Sequence, residues 1–286
     1  MKQKNSTSSP SDKVKASLII SIYKDVSSLA LVLESVAQQT EHNFEIILSE
    51  DGEDSAMKSF IDHYEFVNPM LHLTQEDEGW NKNKALNKAI KASQGDWLIF
   101  IDGDCVLHPR FVEMHLRYSA PHRILAGKRL VLSFELTNKI MSKRAPIPTQ
   151  GNPISLMRFF HREGCGFPEE GFFVAPHSVF CFVSCFRNMY QLKGCNMSCS
   201  KRAMYDINGF DEDYILPAVG EDLDLTWRFE GLGYALFSMR NRAVQYHLFH
   251  RLNWSDSSEN EIKMLDKQSK KIYRCFNGIK KLTPLK

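Results

Sequence analysis

The first hundred residues alternate apolar segments of strand length with amphipathic helical segments, and short connections join them. Apolar runs predict buried strands at 17–23, 44–48, 70–74 and 97–101. One-sided apolar stripes predict helices at 26–38, 55–64 and 80–93. This alternation predicts an α/β fold with an open, mostly parallel central sheet flanked by helices.

The carboxyl ends of the predicted strands carry polar side chains. Ligands of open parallel sheets bind beyond these strand ends. Tyr23, Asp51 and the Asp102-Gly103-Asp104 segment each follow a predicted strand. We therefore expect them to lie along one edge of the sheet and to form a binding site.

The second half of the chain is less regular. We predict helices at 110–118 and 218–230, and strands at 124–133 and 243–248. Residues 179–186 are apolar on every side, so we predict that they belong to the core. Residues 137–176 contain several glycines and prolines, and we assign no elements there.

Composition narrows the function classes. The 286 residues are 43% hydrophobic and 24% charged, which excludes a fully disordered, collagen-like or coiled-coil chain. The net charge of +2 is too balanced for a protein built around nucleic-acid binding. No apolar run is long enough to span a bilayer, and residues 1–14 predict a disordered leader rather than a signal peptide. We expect a cytoplasmic protein.

Seven cysteines occur at positions 105, 165, 181, 185, 195, 199 and 275. The odd number favours reduced thiols over a disulfide framework. The two Cys-x3-Cys pairs, 181/185 and 195/199, are wider than the usual structural zinc spacing. Buried free thiols are therefore favoured, with a zinc tetrad as the alternative.

Acidic residues and histidines suggest chemistry at three places. Asp102 and Asp104 suit Mn²⁺ or Mg²⁺ carrying a diphosphate, although Asp-Gly-Asp also forms turns. Glu221 and Asp222 lie at a predicted helix start, where they either cap the helix or act as a general base. A histidine at the end of the late strand, His247, is either a metal ligand or a structural residue.

The C-terminal tail, residues 253–286, is basic. From position 263 it carries eight Lys or Arg residues against Asp266 alone, interleaved with Ile272, Tyr273, Phe276 and Ile279. An amphipathic helix on an anionic membrane surface and a terminal helix packed on the body both fit this pattern. A membrane contact would place the protein on the inner face of the cytoplasmic membrane.

In this order the motifs resemble glycosyltransferase family 2 proteins with a GT-A fold. The resemblance covers residues 15–250, and its segments are 19–23, 75–80, 102–104 and a block from 193–197 through 208–212 to 220–222. The last block is similar to the carboxy-terminal motif of β-1,4-galactosyltransferases and chondroitin-polymerase-like enzymes. The resemblance implies a nucleotide-sugar-binding half at 15–125, an acceptor-binding and catalytic half at 126–252, and a smaller mixed region on the acceptor side.

The resemblance also implies a role for each matching residue. Tyr23 would stack on the nucleotide base, and Asp51 would accept a hydrogen bond from its edge. Asp104 and His247 would bind the metal, with His247 a better match than His250. The other implied nucleotide-sugar contacts are Ser21, Lys82, Lys84, Asp102 and Gly103, with Asp102 also a candidate metal ligand. Asp222 would be the general base, Glu221 would orient the acceptor, and the acceptor side would include Gly194, Asn196 and Trp227.

Two departures from the family pattern concern specificity. The usual aromatic-basic pair is replaced by Trp80-Asn81, so Lys82 or Lys84 must substitute for an arginine, without its bidentate fork. The usual Trp-Gly before the Glu-Asp pair is replaced by residues 216–219, Leu-Pro-Ala-Val.

The sequence thus predicts an inverting, metal-dependent hexosyl- or N-acetylhexosaminyltransferase. It would move a sugar from a UDP-sugar to the hydroxyl of a polysaccharide, a lipooligosaccharide or a lipid-linked glycan. A metal-dependent nucleotidyl transferase is one alternative, although Ser21-Ile22-Tyr23-Lys24 is not the Gly-rich basic loop typical of that class. A nucleotide-sugar-binding protein without catalysis is the other.

Overall fold

The computed structural model describes residues 14–216, 222–251 and 258–283. Residues 1–13 of the predicted leader, Glu221 with the start of the predicted helix at 218–230, and residues 253–257 and 284–286 of the predicted tail lie outside this part of the chain. The strands are β1 Ala16–Ile22, β2 Phe44–Glu50, β3 Met70–Leu73, β4 Trp97–Asp102, β5 Cys105–Leu107, β6 Arg123–Ala126, β7 Leu130–Val131, β8 Met197–Ser200, β9 Ala235–Ser238 and β10 Gln245–His247. The helices are α1 Val26–Ala37, α2 Ser55–His63, α3 Lys82–Ala92, α4 Phe111–Arg117, α5 Phe134–Met141, α6 Pro153–Arg162, α7 Cys181–Cys185, α8 Lys201–Asp206, α9 Leu223–Gly231 and α10 Ser258–Ser269.

Seven strands form the main sheet in the order β3-β2-β1-β4-β8-β6-β9. All neighbours are parallel except β8, which runs antiparallel to β4 and to β6. A second sheet, β5-β10-β7, is small and mixed. The predicted α/β class and mostly parallel sheet are confirmed.

Both faces of the main sheet are buried, which explains the continuous apolar strands. On β1, Leu18 and Ile20 face one core with α1, α2 and α4, whereas Ile19 faces the other with α3, α8 and α9. Successive strand residues point to opposite faces, so each strand supplies both cores. This packing holds the strand ends of the candidate site in a fixed arrangement.

The predicted strand at 124–133 is wrong as a single element. Its two halves, β6 and β7, belong to different sheets, and Gly127 lies between them. A Cβ atom on Gly127 would lie 2.4 Å from Cγ of Asn196, so the chain turns here against another segment. Periodicity within one segment does not report such a contact.

The prediction that residues 179–186 are core is also wrong. Val179 and Phe186 are each 81% exposed, and the segment forms the short helix α7 on the surface. An apolar run predicts burial only where another element packs against it. Cys181 and Cys185 are therefore exposed, which corrects the prediction of buried thiols for these two, whereas the other five are buried.

The four thiols of the alternative zinc tetrad do not share one environment, because the first pair is exposed and the second is buried. Within the described ranges, the clusters of potential metal-ligating side chains do not include this set.

The described part of the tail begins with α10 and continues as a segment without helix. Cys275 and Ile279 in that segment are buried, and the Asn208 side chain donates to the carbonyl oxygens of Cys275 and Lys280. This packing supports the alternative in which the tail lies on the body. Among the described helices, none combines the length and apolarity needed to cross a membrane.

Candidate active site

A cavity of about 520 Å³ opens at the carboxyl ends of β1, β2 and β4. These strands pair in register, so that Ser21 lies beside Ser49 on one side and Asp102 on the other. Seven of the predicted nucleotide-sugar residues line it: Ser21, Tyr23, Asp51, Lys82, Asp102, Gly103 and Asp104. Its other lining residues are Ile22, Asp25, Gly79, Trp80 and His250. The volume suits a nucleotide-sized ligand.

Two of the lining residues, Tyr23 and Asp51, combine an exposed ring with a carboxylate held by hydrogen bonds. Tyr23 is 52% exposed, which leaves its ring accessible to a base. Asp51 is buried and accepts hydrogen bonds from Gln75 Nε2 at 2.7 Å and from the backbone N–H of Asn81 at 2.8 Å. Each carboxylate oxygen retains a second acceptor position, so Asp51 is held in place and can still accept from a ligand.

The two lysines proposed as substitutes for the family arginine lie in different places. Lys82 lines the cavity, and its Nζ lies 2.9 Å from Asp102 Oδ1. The ammonium group of Lys84 lies 3.7 Å from Glu78 Oε2, and Lys84 is absent from the lining. Lys82 is therefore the lysine that the structure places in the site.

Gly103 lets the Asp102–Asp104 segment approach β1. Its N–H donates to the Ser21 carbonyl oxygen at 2.8 Å, and a Cβ atom at this position would lie 2.9 Å from Cγ2 of Ile22. A side chain here would push the two aspartates away from the strand ends. The sequence left open whether Asp102-Gly103-Asp104 forms a turn or a pair of ligating carboxylates, and the structure combines both.

Asp104, His247 and His250 form a compact cluster of potential metal ligands. Asp104 Oδ2 lies 3.2 Å from Nε2 of His247 and 3.3 Å from Nε2 of His250. The two imidazole Nε2 atoms are 3.2 Å apart. β10 pairs with β5 so that His247 lies opposite Cys105, and this register brings the late strand to the end of β4. The structure brings both histidines to Asp104 instead of selecting one.

The electrostatics of this cluster keep Asp104 ionised. Burial raises the pKa of Asp104, but hydrogen bonds from His247 and His250 outweigh it and hold the pKa well below the usual carboxyl range. The hydrogen bond to Asp104 raises the pKa of His250. Nδ1 of His247 is buried without a partner in the described part of the chain. One carboxylate and two imidazoles form a donor set that fits Mn²⁺.

Asp102 belongs to a second cluster, with Cys105 and Cys195. The potential ligand atoms of these three residues lie within 4.8 Å of one another. Burial and a hydrogen bond with Cys195 raise the pKa of the Cys105 thiol. Asp102 thus groups with the thiols rather than with the histidines, and Cys105, whose Sγ lies 3.4 Å from Asp104 Oδ1, joins the two clusters.

Asp222 directly precedes α9. It makes no side-chain capping hydrogen bond to the helix, and the N–H of Gly194 donates to its Oδ1 at 2.5 Å. Lys193 Nζ lies 3.9 Å from its Oδ2. Gly194 precedes Cys195, whose sulfur lies within 4.8 Å of a carboxylate oxygen of Asp102. Asp222 is therefore connected to the Asp102 cluster through the backbone of Gly194 and Cys195, although it does not itself line the cavity.

The other two predicted acceptor residues, Asn196 and Trp227, lie outside the cavity lining. Asn196 is fully buried, and its Nδ2 donates to the carbonyl oxygens of Lys128 and Ala243. Trp227 packs against Tyr273, with ring centroids 5.5 Å apart, and does not line the cavity.

Sequence reasoning missed Arg129, whose Nη1 lies 3.6 Å from Asp102 Oδ2. It also missed Cys195 as a neighbour of Asp102. Only the fold brings these segments together, and no local motif indicates them. Trp80 also lines the cavity, and it belongs to the 75–80 segment that carries the resemblance.

The sequence model described as glycosyl transferase family 2 matches residues 17–186, more than half of the chain. The chain belongs to glycosyl transferase family 2. The match covers the strands β1, β2 and β4 and the Asp102–Asp104 segment of this family member.

Relatives and solved structures agree with this family. A putative glycosyltransferase EpsH of Bacillus subtilis strain 168 is 30% identical over 138 residues, which are 48% of this chain and 40% of EpsH. The chain aligns with less than half the length of each of the curated relatives it matches.

Two solved structures share the fold. S. aureus TarS 1–349 in complex with UDP-GlcNAc has a TM-score of 0.55 at 14% identity, covering 88% of this chain and 64% of TarS 1–349. The mannosyltransferase PcManGT of Pyrobaculum calidifontis, in complex with GDP-Man and Mn²⁺, has a TM-score of 0.51 at 13% identity, covering 84% and 58%. The GT-A-type architecture predicted from the sequence is confirmed.

Proposed function

We propose that this chain is an inverting, divalent-metal-dependent glycosyltransferase that moves a sugar from a UDP-sugar to a glycan hydroxyl. The observation that carries the proposal is the Asp104–His247–His250 cluster beside a cavity of nucleotide size, lined by Tyr23 and Lys82. Family membership supports glycosyl transfer. TarS binds UDP-GlcNAc and PcManGT binds GDP-Man with Mn²⁺, which supports a nucleotide-sugar donor and a metal.

In this proposal Asp104, His247 and His250 hold the metal, and Mn²⁺ suits their mixed oxygen and nitrogen donors better than Mg²⁺. A bound divalent ion would offset the negative charge that develops on the diphosphate. Asp51 and Tyr23 position the base, and Lys82 contributes a positive charge beside Asp102.

Asp222 acts as the general base. Its carboxylate takes the proton of the acceptor hydroxyl while that oxygen forms a bond to the anomeric carbon. The bond between this carbon and the donor phosphate oxygen breaks, and UDP leaves with the electron pair. The N–H of Gly194 orients the carboxylate, and a positioned base of this kind contributes about 10²–10⁴-fold to the rate.

The test is a screen of UDP-sugars and GDP-mannose with Mn²⁺, in which released nucleotide and glycosylated product are both measured. We expect transfer from one UDP-hexose or UDP-N-acetylhexosamine to a glycan acceptor, with inversion at the anomeric carbon. Nucleotide binding without any transfer would favour a binding protein. Pyrophosphate release from a nucleoside triphosphate and a sugar phosphate would favour a nucleotidyl transferase.

Membrane association through the tail is a separate proposal, supported by its excess of Lys and Arg residues, although the described part of the tail packs on the body. Four of its lysines form ion pairs: Lys263 with Glu259, Lys267 with Asp211 and Asp213, Lys270 with Asp266, and Lys281 with Glu212. A tail that binds an anionic surface would release the protein from membranes when they are washed with high salt. Protein that never sediments with membranes at low salt would contradict this proposal.

A further inference from the structure

Arg129 lies beside the carboxylate that Lys82 already contacts. Its Nη1 is 3.6 Å from Asp102 Oδ2, and Lys82 Nζ is 2.9 Å from Asp102 Oδ1. Arg129 does not itself line the cavity, but it contacts Asp102, which does, and one third of its side chain is exposed. Asp102 is thus flanked by two cations, of which one charge suffices to neutralise it.

The Arg129 guanidinium group retains unused hydrogen-bond donors. A separation of 3.6 Å exceeds a hydrogen bond, and the described part of the chain supplies no hydrogen-bond acceptor to this group. A guanidinium carries five N–H donors in a planar fork that matches phosphate oxygens. Such a group, close to a binding cavity and without an acceptor, is suited to an anionic ligand.

The carboxylate that Arg129 flanks adjoins the candidate metal cluster. Asp102 and Asp104 are separated by Gly103 alone, and all three residues line the cavity. Cys105 Sγ lies 3.4 Å from Asp104 Oδ1 and within 4.8 Å of a carboxylate oxygen of Asp102. A diphosphate carried by a metal at Asp104 would therefore lie on the side of the cavity that Asp102 and Arg129 share.

The backbone before Arg129 is held by a buried side chain. Asn196 donates from Nδ2 to the carbonyl oxygen of Lys128 at 2.8 Å and to that of Ala243 at 3.0 Å. The N–H of Gly127 donates to the Asn196 carbonyl oxygen at 2.8 Å. Because Asn196 is fully buried, this clamp fixes the turn from which Arg129 projects.

We propose that Arg129 binds the diphosphate of the nucleotide-sugar donor and holds it as the leaving group, with Asn196 as the residue that positions its loop. This inference rests on the proposed function. It assigns to Arg129 the bidentate contact that neither Lys82 nor Lys84 can make, because an ammonium group lacks the planar fork. The competing role for Arg129 is a purely structural one, in which it only neutralises Asp102.

The test compares two ligands that differ in the diphosphate, UDP and uridine, in the presence of Mn²⁺. Calorimetry measures UDP and GDP binding, and equilibrium dialysis measures uridine binding, for wild type, Arg129→Gln and Lys128→Gln. Lys128 is a matched control, because it precedes Arg129 in the same loop and its ammonium group lies over the Phe167 ring at 5.8 Å. Thermal unfolding shows whether each variant is folded.

We expect Arg129→Gln to bind UDP about 10- to 100-fold more weakly and uridine as wild type does, since a charge-assisted hydrogen bond to phosphate is lost. Arg129→Lys, which keeps the charge at Asp102, is expected to lose part of the UDP affinity. Lys128→Gln should bind both ligands as wild type does.

Equal weakening of UDP and uridine in Arg129→Gln would overturn the inference and favour the structural role. Unchanged UDP binding would overturn it as well. Wild-type protein that bound neither UDP nor GDP would instead refute the proposed function, so the two failures are distinguishable. If Arg129→Gln did not fold, wild-type UDP affinity in Arg129→Lys would overturn the bidentate contact.

Discussion

Gly127→Ala tests whether the turn before Arg129 is fixed by its contact with Asn196. A Cβ atom at this position would lie 2.4 Å from Cγ and Nδ2 and 2.5 Å from Oδ1 of Asn196. These separations are far below van der Waals contact. The amide cannot move aside freely, because it is fully buried and donates to two backbone carbonyl oxygens.

The expected loss of stability can be worked out from these contacts. Overpacking a well-packed interior costs about 1–3 kcal/mol. Displacing Asn196 also removes two hydrogen bonds, each with a net contribution of about 1 kcal/mol. The two costs are partly exclusive, since moving the amide relieves the overlap. We therefore expect Gly127→Ala to lower the free energy of unfolding by about 2–4 kcal/mol.

Urea unfolding of wild type and Gly127→Ala measures this difference. We expect the slope of the unfolding free energy against urea concentration to be the same in both proteins. Gly52→Ala is the matched control, because its Cβ atom would meet the Tyr23 ring at 3.8 Å, an ordinary contact. The control should change stability by less than about 0.5 kcal/mol. A Gly127→Ala protein as stable as the control would refute the reasoning about the Asn196 clamp.

Three further predictions concern the base, acid stability and the tail. Asp222→Asn should lower turnover by about 10²–10⁴-fold with nucleotide affinity unchanged, because the amide oxygen still accepts from the Gly194 N–H but takes no proton. Steady-state kinetics measures the turnover and calorimetry the nucleotide affinity. Turnover near that of wild type would contradict the role of Asp222 as general base. Burial lowers the pKa of His108 to about 4 and that of His115 to about 3. Below pH about 6.5 both histidines are protonated in the unfolded state while they stay neutral in the folded state. The free energy of unfolding should therefore fall by up to about 1.4 kcal/mol per histidine and pH unit. In urea unfolding from pH 7 to 5, His108→Gln should show a shallower fall, and an unchanged slope would argue against a buried neutral imidazole. Lys267→Met leaves buried Asp211 without its ammonium partner at 2.5 Å and should cost about 3 kcal/mol; the double variant with Asp211→Asn should recover most of this loss, and no recovery would count against the ion pair.

The sequence predicted the elements whose signal is local. β1, β2 and β4 are continuous apolar strands because both of their faces are buried, and this pattern can be recognised in one sequence. Their parallel arrangement placed Tyr23 and Asp51 at one edge, as expected for residues that follow parallel strands.

The features that the sequence did not predict depend on contacts between segments that are distant in the chain. Asn196 and Lys128 are 68 residues apart, so no local pattern connects the Arg129 loop with its clamp. The choice between His247 and His250 could not be made from spacing, since both reach Asp104 once β10 pairs with β5. Phe186 was misassigned because apolar character alone does not tell whether another element covers a segment.

Binding of UDP with Mn²⁺ and with EDTA, measured by calorimetry on wild type and Asp104→Ala, tests the central claim most directly. Asp62→Ala, on the exposed face of α2, is the matched control. We predict that Mn²⁺ tightens UDP binding in wild type and in the control, and that Asp104→Ala loses this gain while remaining folded. Equal UDP affinity with Mn²⁺ and EDTA in wild type, or the same gain in Asp104→Ala, would contradict the account.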